Sequence, residues 1–230
     1  TAPTITATVT PAPTPSGWSA GTTATVSFRC ADTGSGVAGS CPAPVTVAEG
    51  VSHVGARAYD KAGKVADSFL TVPLDGTAPT VTVVGTAPSL SCLTTDALSG
   101  VATSATGTLV AGTNSAGLAT TTITCTGGTD QAGNVAPPLT RTAVNAMTFS
   151  GYDAPILGAP DINQAPRKRP LTLTFRLSQG STPVATLAAI TAVDVRPVSC
   201  SPWAATTGTW TPANSKVQVN DKSTGYRLMW

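Results

Sequence analysis

The sequence predicts an all-β protein built from β-sandwich modules in tandem, and three observations lead to this expectation. Only 10% of the residues are charged, and 22 glycines and 19 prolines supply turn residues to a chain rich in threonine, alanine and valine. Short runs alternate between apolar and polar residues, as in Thr23–Cys30. The opening Thr1–Ala7 returns at Thr77–Val83, an offset of 76 residues that suits one small sandwich.

Two further echoes preserve the order of this repeat. The segment Ser35–Ala38 returns at Ser99–Ala102, and Asp60–Ala66 returns at Asp130–Ala136. Three matched landmarks in one order describe a tandem module, and such modules are usually built for reach, display or adhesion.

We therefore predict three modules in a row. Residues 1–76 and 77–146 are related sandwiches, called here the first and second repeats, and residues 147–230 form an unrelated module, called here the third segment. The charge distribution supports the last boundary, because the net charge is −2 before it and +4 after it.

Alternation locates strands in both repeats. In the first, Ala24, Val26, Phe28 and Cys30 are expected to face the core. The same period marks the further strand candidates Val54–Tyr59, Ala66–Val72, Val81–Val83, Leu90–Cys92 and Thr121–Cys125. Residues 103–117 are small and polar, so we expect short or irregular strands there.

The cysteines indicate an oxidising compartment. Cys30 and Cys41 lie in the first repeat, Cys92 and Cys125 in the second, and Cys200 stands alone. One pair per repeat predicts two intramodule disulfides, which would stabilise the repeats by roughly 3 and 4 kcal/mol in the chain-entropy model. The alternative is free buried thiols.

Residues 1–146 resemble bacterial immunoglobulin-like repeats of secreted and surface proteins, especially those of actinobacteria. The resemblance rests on the Thr-Ala-Pro-Thr openings, the Ser-Gly-Val-Ala and Asp-x-Ala-Gly-x-Val-Ala elements, and Leu74–Gly76 before the second repeat. It implies tandem immunoglobulin-like β-sandwiches that act as stalks or spacers, and it names no ligand.

The third segment resembles a different family. Phe149–Pro155 followed by Pro170–Leu177 is similar to the actinobacterial PxKF domain, although Thr172 and Thr174 stand where Pro and Lys are expected. This resemblance implies a β-sandwich that lacks its last strands when the chain stops at Trp230. We expect either further residues, or a neighbouring molecule that supplies a strand and makes the third segment a site of self-association.

Few residues of the sequence suit a catalytic role. His53, the single histidine, begins a predicted strand, and no G-x-S-x-G nucleophile motif accompanies it. Cys200 could act as a nucleophile only if it were reduced. The glycines of Asp32–Gly36 follow a strand and open no helix, which indicates a turn rather than a phosphate loop. We expect a protein that is not an enzyme and has no organic cofactor.

Three carboxylates are candidate calcium ligands. Asp60 and Asp130 each begin a turn, and Asp75 lies where the repeats meet. In the surface repeats that this sequence resembles, aspartates at such places can bind Ca²⁺ and stiffen the junction. Calcium needs six to eight oxygens. The alternative is that each aspartate caps its own turn by accepting backbone N–H groups.

Two other groups of side chains are candidate contact sites. Arg167, Lys168 and Arg169 form the one basic cluster, which could contact a glycan phosphate, a teichoic-type envelope polymer or nucleic acid, although a solvated loop is the simpler interpretation. The tryptophans are scattered and form no spaced platform for stacking sugars; they are Trp18, Trp203, Trp210 and Trp230.

The expected role is structural: a secreted or surface-exposed stalk, fibre or appendage subunit. One alternative is a binding module whose third segment recognises a glycan, an envelope polymer or a host surface. Another is a virion appendage of an actinobacterial phage. A net charge of +2 favours neither nucleic acid nor an anionic membrane as partner, and no run approaches the ~18 apolar residues of a membrane span.

Overall fold

The computed structural model describes residues 1–153, 172–195, 198–200, 203–205, 211–212, 217–219 and 225–229, with the backbone alone at 195, 198–200 and 203–205. These residues form strands and connecting turns, with one short 3-10 turn at Leu187–Ala189, so the all-β expectation is confirmed. No helix in these ranges is long and apolar enough to cross a membrane.

The first repeat folds into two small sheets. Its strands are β1 (Thr4–Thr10), β2 (Ser19–Ala20), β3 (Thr23–Ala31), β4 (Val45–Ala48), β5 (Gly50–Tyr59) and β6 (Val65–Asp75). One sheet has the order β1-β3-β4 and the other the order β2-β6-β5. The pairs β1–β3, β3–β4 and β5–β6 are antiparallel, whereas β2 runs parallel to β6.

The core of the first repeat lies between these two sheets, on the side to which the apolar residues of the alternating strands point. Buried side chains from both sheets pack together; they are Ala24, Val26, Val47, Val54, Val72 and Leu74. Phe28 packs against them while partly exposed. The strict period of β3 therefore predicts its inward face correctly, because successive strand residues point to opposite sides.

The second repeat contains strands β7 (Thr80–Thr86), β8 (Ser89–Thr95), β9 (Val101–Thr103), β10 (Thr106–Thr113), β11 (Ala119–Thr126), β12 (Thr129–Asp130) and β13 (Leu139–Val144). Strands β7 and β8 pair with each other, β10-β11-β13 form a second sheet, and β9 pairs with β12.

Strand β10 corrects the expectation of short or irregular strands over residues 103–117. It is a continuous strand of eight residues. A Cβ at Gly107 would lie 2.8 Å from Ile123 Cδ1 and 2.9 Å from Cys92 Sγ. Small residues therefore suit this strand, because its neighbours already fill the space. Pairing with β11 overrides the weak intrinsic strand preference of these residues.

Both predicted disulfides are present. Cys30 and Cys41 are joined, with Cα atoms 5.6 Å apart, and Cys92 and Cys125 are joined, with Cα atoms 5.9 Å apart. Each bond closes a loop inside one repeat, and Cys125 is fully buried.

The third segment has its own core within the part that is described. Its strands are β14 (Thr148–Tyr152), β15 (Thr172–Gln179), β16 (Thr182–Val184), β17 (Asp194–Val195), β18 (Val198–Cys200), β19 (Trp203–Ala205), β20 (Thr211–Pro212), β21 (Val217–Val219) and β22 (Tyr226–Met229). The main sheet has the order β14-β15-β22-β21, with β16 paired to β15. Phe175, Val217, Tyr226 and Leu228 form the buried cluster, and the Tyr226 hydroxyl donates to the Thr186 carbonyl oxygen at 2.9 Å.

By its internal contacts the chain divides into two compact units. One comprises residues 1–85, 91–109 and 123–141, and the other comprises residues 86–90, 110–122 and 142–230. The division cuts through the second repeat, so the module boundaries at residues 76 and 146 stay a prediction. Within the second unit, the Gln179 side chain accepts from Ala119 N and donates to the carbonyl oxygens of Ala119 and Asn145.

Candidate cation site

Three carboxylates converge inside the first compact unit. One oxygen from each of Asp75, Asp96 and Asp130 lies within 4.8 Å of the others, and we call this group the joint cluster. Asp75 ends β6, Asp96 follows β8, and Asp130 belongs to β12. Asp75 and Asp130 are 0% and 2% exposed, and Asp96 is half-buried.

Local turn chemistry fixes two of these carboxylates. Asp96 Oδ1 accepts from Leu98 N at 3.1 Å and from Gly100 N at 2.6 Å. Asp130 Oδ1 accepts from Asn134 N at 2.8 Å. Short acidic side chains satisfy nearby backbone donors in this way, so the turn-capping bonds expected from the sequence are present.

Asp75 comes from the linker before the second repeat, and donors surround it. Its Oδ1 accepts from Thr77 N at 2.9 Å, and its Oδ2 accepts from Ser99 N at 3.0 Å. Burial raises the pKa of Asp75, but the Ser99 side chain and the N–H groups of Thr77 and Ser99 lower it by more. The net pKa is below the ordinary value, so the carboxylate is charged at neutral pH.

The Ser99 hydroxyl has an exceptional position. Ser99 is 6% exposed, and its Oγ has no hydrogen-bond partner. The Ser99 side chain also lowers the pKa of Asp75, so the hydroxyl lies close to that carboxyl group. An unpaired buried hydroxyl costs free energy, and a cation in the cluster would compensate it.

The chemistry of the donors suits a hard divalent cation. All the charged groups are carboxylates, and no Lys or Arg side chain within the described ranges forms an ion pair with any of them. Asn134 Nδ2 donates to Asp130 Oδ2 at 2.8 Å and to the Asp75 carbonyl oxygen at 2.9 Å. Rotation of that amide by half a turn would present its oxygen instead. Calcium prefers such an all-oxygen set, which waters complete.

The linker itself is tied to the first repeat. Gly76 N donates to Glu49 Oε1 at 3.0 Å, and the Thr77 hydroxyl donates to the same oxygen at 2.8 Å. A Cβ at Gly76 would lie 2.5 Å from the Gly21 carbonyl carbon and 2.7 Å from Thr22 N. No side chain fits between these backbones, so this close approach requires glycine.

A second set of hydrogen bonds joins the turns of the two repeats. The hydroxyl groups of Thr14 and Ser16 each lie 2.8 Å from the Gln131 carbonyl oxygen. Gln131 directly follows Asp130, so these bonds lie next to the joint cluster.

The structure brings together two of the three predicted ligands. Asp60 lies in the corresponding turn of the first repeat, where its Oδ1 accepts from Ala62 N and Lys64 N at 2.9 and 2.7 Å. Sequence reasoning missed Asp96. Its signal is the echo of the first repeat, because Asp32 precedes Gly36 by four residues as Asp96 precedes Gly100.

The other candidates stand as follows. His53 lies within β5 rather than at its start, is exposed, and places Nδ1 3.1 Å from the Thr71 hydroxyl. Trp18 is half-buried. The remaining candidates lie outside the described residues or side chains; they are Arg167, Lys168, Arg169, Cys200, Trp203, Trp210 and Trp230.

A cluster of aromatic side chains in the third segment was also missed. A register shift lies between Phe149 and Tyr152 on β14, and it places both rings beside Phe175, with centroids 5.9 and 6.2 Å from its ring. Phe175 stacks on Tyr226 in turn. The bulge changes the strand period, which is why alternation could not predict this grouping.

Comparison with models of protein families, with curated proteins and with solved structures finds no match for this chain.

Proposed function

We propose that this protein is a non-enzymatic extracellular structural protein, a stalk or spacer of tandem immunoglobulin-like modules with a fixed joint between the first two. The observation that carries the proposal is the linker at residues 75–77, which hydrogen-bonds to both repeats. A stalk transmits position and force only if its joints resist bending, and this linker has the features of such a joint.

Several independent contacts support a fixed joint. Glu49 holds Gly76 and Thr77 from the first repeat, while Ser99 and Asn134 bind Asp75 from the second. A net contribution of about 1 kcal/mol per hydrogen bond is typical, so these bonds together offset much of the free energy, roughly 3–6 kcal/mol, that fixing the backbone of a three-residue linker costs.

Calcium fits this role as a ligand of the joint cluster. Asp75, Asp96 and Asp130 would hold it, with Ser99 Oγ as a further neutral donor. The ion would supply the positive charge that three adjacent carboxylates need. Because the three carboxylates come from separate parts of the chain, one ion would link the end of β6, the turn after β8 and β12.

The remaining chemistry supports a structural role over a catalytic one. His53 pairs with a threonine hydroxyl on an exposed sheet face, and no carboxylate contact to it is present in the described residues. The two disulfides favour an oxidising, extracellular setting.

Distance measurements between spin labels test the fixed joint. Labels at Thr8 on β1 and Thr108 on β10, in a Cys200→Ser background, report on the two repeats; both sites are exposed. We expect a distance distribution in calcium as narrow as that of a control pair at Thr8 and Thr46, which lie in one sheet. A distribution several times broader than the control would refute the stalk with a fixed joint.

A further inference from the structure

One face of the first repeat carries an unusual aromatic residue. Phe69 on β6 is 82% exposed, more than any other large apolar side chain in the described residues. It lies on the outer face of the β5–β6 pair, because its neighbours along the strand alternate toward the core. Removing this ring from water would be favourable, so the ring is available to a ligand that covers it.

A glycine on the neighbouring strand leaves space for the Phe69 ring. Phe69 lies opposite Gly55 in the antiparallel pair, and a Cβ at Gly55 would lie 3.1 Å from Cδ1 and Cε1 of the ring. Gly55 has no left-handed φ, so its backbone does not require glycine. Glycine in the middle of a strand is destabilising and often marks a close approach. Here it lets the ring lie against the sheet.

Polar side chains flank the ring on both sides along the strands. On one side, His53 Nδ1 lies 3.1 Å from the Thr71 hydroxyl. On the other, Arg57 holds Asp67 through two hydrogen bonds of 2.6 and 3.0 Å. A shallow cleft of about 380 Å³ beside the ring is lined by His53, Val54, Gly55, Phe69, Leu70 and Thr71.

The charge of this face selects the kind of ligand. Arg57 and Asp67 neutralise each other, and neither belongs to a larger cluster of one sign. Such a face attracts neither a polyanion nor a polycation. It instead offers donors and acceptors to hydroxyl groups on either side of an apolar ring, a combination that suits a sugar.

The second repeat shows that the sandwich does not need this arrangement. On β11, Thr120, Thr121, Ile123 and Cys125 are buried, whereas Thr122 and Thr124, which alternate with Ile123 and Cys125, are partly exposed. Their hydroxyl groups pair with threonines of β13 at 2.7 and 3.2 Å. Polar pairs therefore occupy this part of the β11–β13 pair, whereas the β5–β6 pair exposes a ring.

We propose that the outer face of β5–β6 in the first repeat binds a neutral glycan, with Phe69 stacking on a sugar ring and the His53–Thr71 and Arg57–Asp67 pairs hydrogen-bonding its hydroxyl groups. This site is separate from the joint cluster and from the third segment.

Affinity electrophoresis of the full chain tests the proposal. The probes are native gels that contain xylan, galactomannan, hydroxyethyl cellulose, laminarin or soluble starch, with polygalacturonate as a polyanion. We expect at least one neutral polymer to retard the wild type. Phe69→Ala should weaken that binding about tenfold, equivalent to about 1.4 kcal/mol, and Gly55→Ala should weaken it by displacing the ring.

The matched control is Leu109→Ala, which removes another exposed apolar side chain, on β10, and should bind as the wild type does. Melting curves and sedimentation velocity of each variant accompany the gels. The proposal fails if no neutral polymer retards the wild type, if only polygalacturonate does, or if Phe69→Ala binds normally. It also fails if Phe69→Ala instead converts a wild-type dimer into a monomer, because the face would then be an interface between copies.

Discussion

The same pair of turns occurs once in each repeat. In the first repeat, Gly36 N donates to Asp32 Oδ2 at 2.7 Å and Lys61 N donates to the Gly36 carbonyl oxygen at 2.9 Å. In the second, Gly100 N donates to Asp96 at 2.6 Å and Gln131 N donates to the Gly100 carbonyl oxygen at 2.9 Å. Asp60 and Asp130 cap the adjoining turns at 2.7 and 2.8 Å.

The surroundings of these turns differ. Lysines 61 and 64 flank the first aspartate, and Lys64 lowers the pKa of Asp60 electrostatically. Glutamine and asparagine replace them in the second repeat, and Asp75 adds a third carboxylate.

This difference teaches that one turn geometry can serve two purposes. Where lysines stand nearby, the aspartate caps a turn and Lys64 adds a small electrostatic lowering of its pKa. Where the lysines are absent and a linker carboxylate arrives, the same turn becomes part of a cluster of three carboxylates, which we propose binds a cation.

The largest expected effect comes from the linker. Gly76→Ala places a Cβ 2.5 Å from the Gly21 backbone, so the linker must move, and we expect a loss of about 3 kcal/mol of unfolding free energy. Gly34→Ala in the turn of the first repeat is the control, because its nearest contacts are at 3.7 Å. Calorimetric melting measures both. Equal melting temperatures of the two variants would contradict the close-packed joint.

The second comparison replaces each of the two capping aspartates, Asp130 and Asp60, by alanine. In calcium, Asp130→Ala should cost about 2 kcal/mol, because it removes the cap and one carboxylate of the joint cluster. Asp60→Ala should cost less, because it removes only a cap. Urea denaturation of both variants measures the difference. If Asp60→Ala destabilised the chain as much, the two turns would be equivalent and the account wrong.

A smaller loss of stability is expected for substitution of Asn134, which follows Asp130 by four residues, and its counterpart Lys64 after Asp60 serves as the control. Asn134→Ala loses the bonds to Asp130 Oδ2 and to the Asp75 carbonyl oxygen, and should cost about 1 kcal/mol. Lys64 is exposed, so Lys64→Ala should leave the midpoint of denaturation unchanged. A neutral Asn134→Ala would show that its amide does not hold the joint.

The smallest effect on stability at neutral pH is expected from the Asp60 carboxyl group in the turn of the first repeat. Burial raises the pKa of Asp60, but the Lys64 N–H, the Ser35 hydroxyl and the Ala62 N–H lower it below 3.8, its value in an unfolded chain. Its contribution to stability is therefore present above pH 3.8 and lost as the pH falls through the lower folded pKa. Melting of Asp60→Asn against the wild type should show a gap at pH 7 that closes near pH 2. A constant gap would contradict the depressed pKa.

The sequence predicted the strands with strict alternation and both disulfides, because these depend on local period and on one cysteine pair per repeat. It could not predict the regular strand β10, in which Gly107 is explained by the close approach of Ile123 and Cys92. It named Asp130 because that residue begins a repeated turn, and it named Asp75 because that residue lies where the repeats meet. Asp96 was missed because its role depends on a carboxylate that arrives from the linker, a contact without any local pattern.

Titration calorimetry with calcium tests the central claim most directly. Chelator-stripped protein is titrated with CaCl₂, together with the variants Asp130→Asn and Asp60→Asn. We expect one site per chain whose binding heat disappears in Asp130→Asn and persists in Asp60→Asn, because only the turn of the second repeat has three convergent carboxylates. Absence of a binding heat in the wild type, or equal loss in the two variants, would contradict the account.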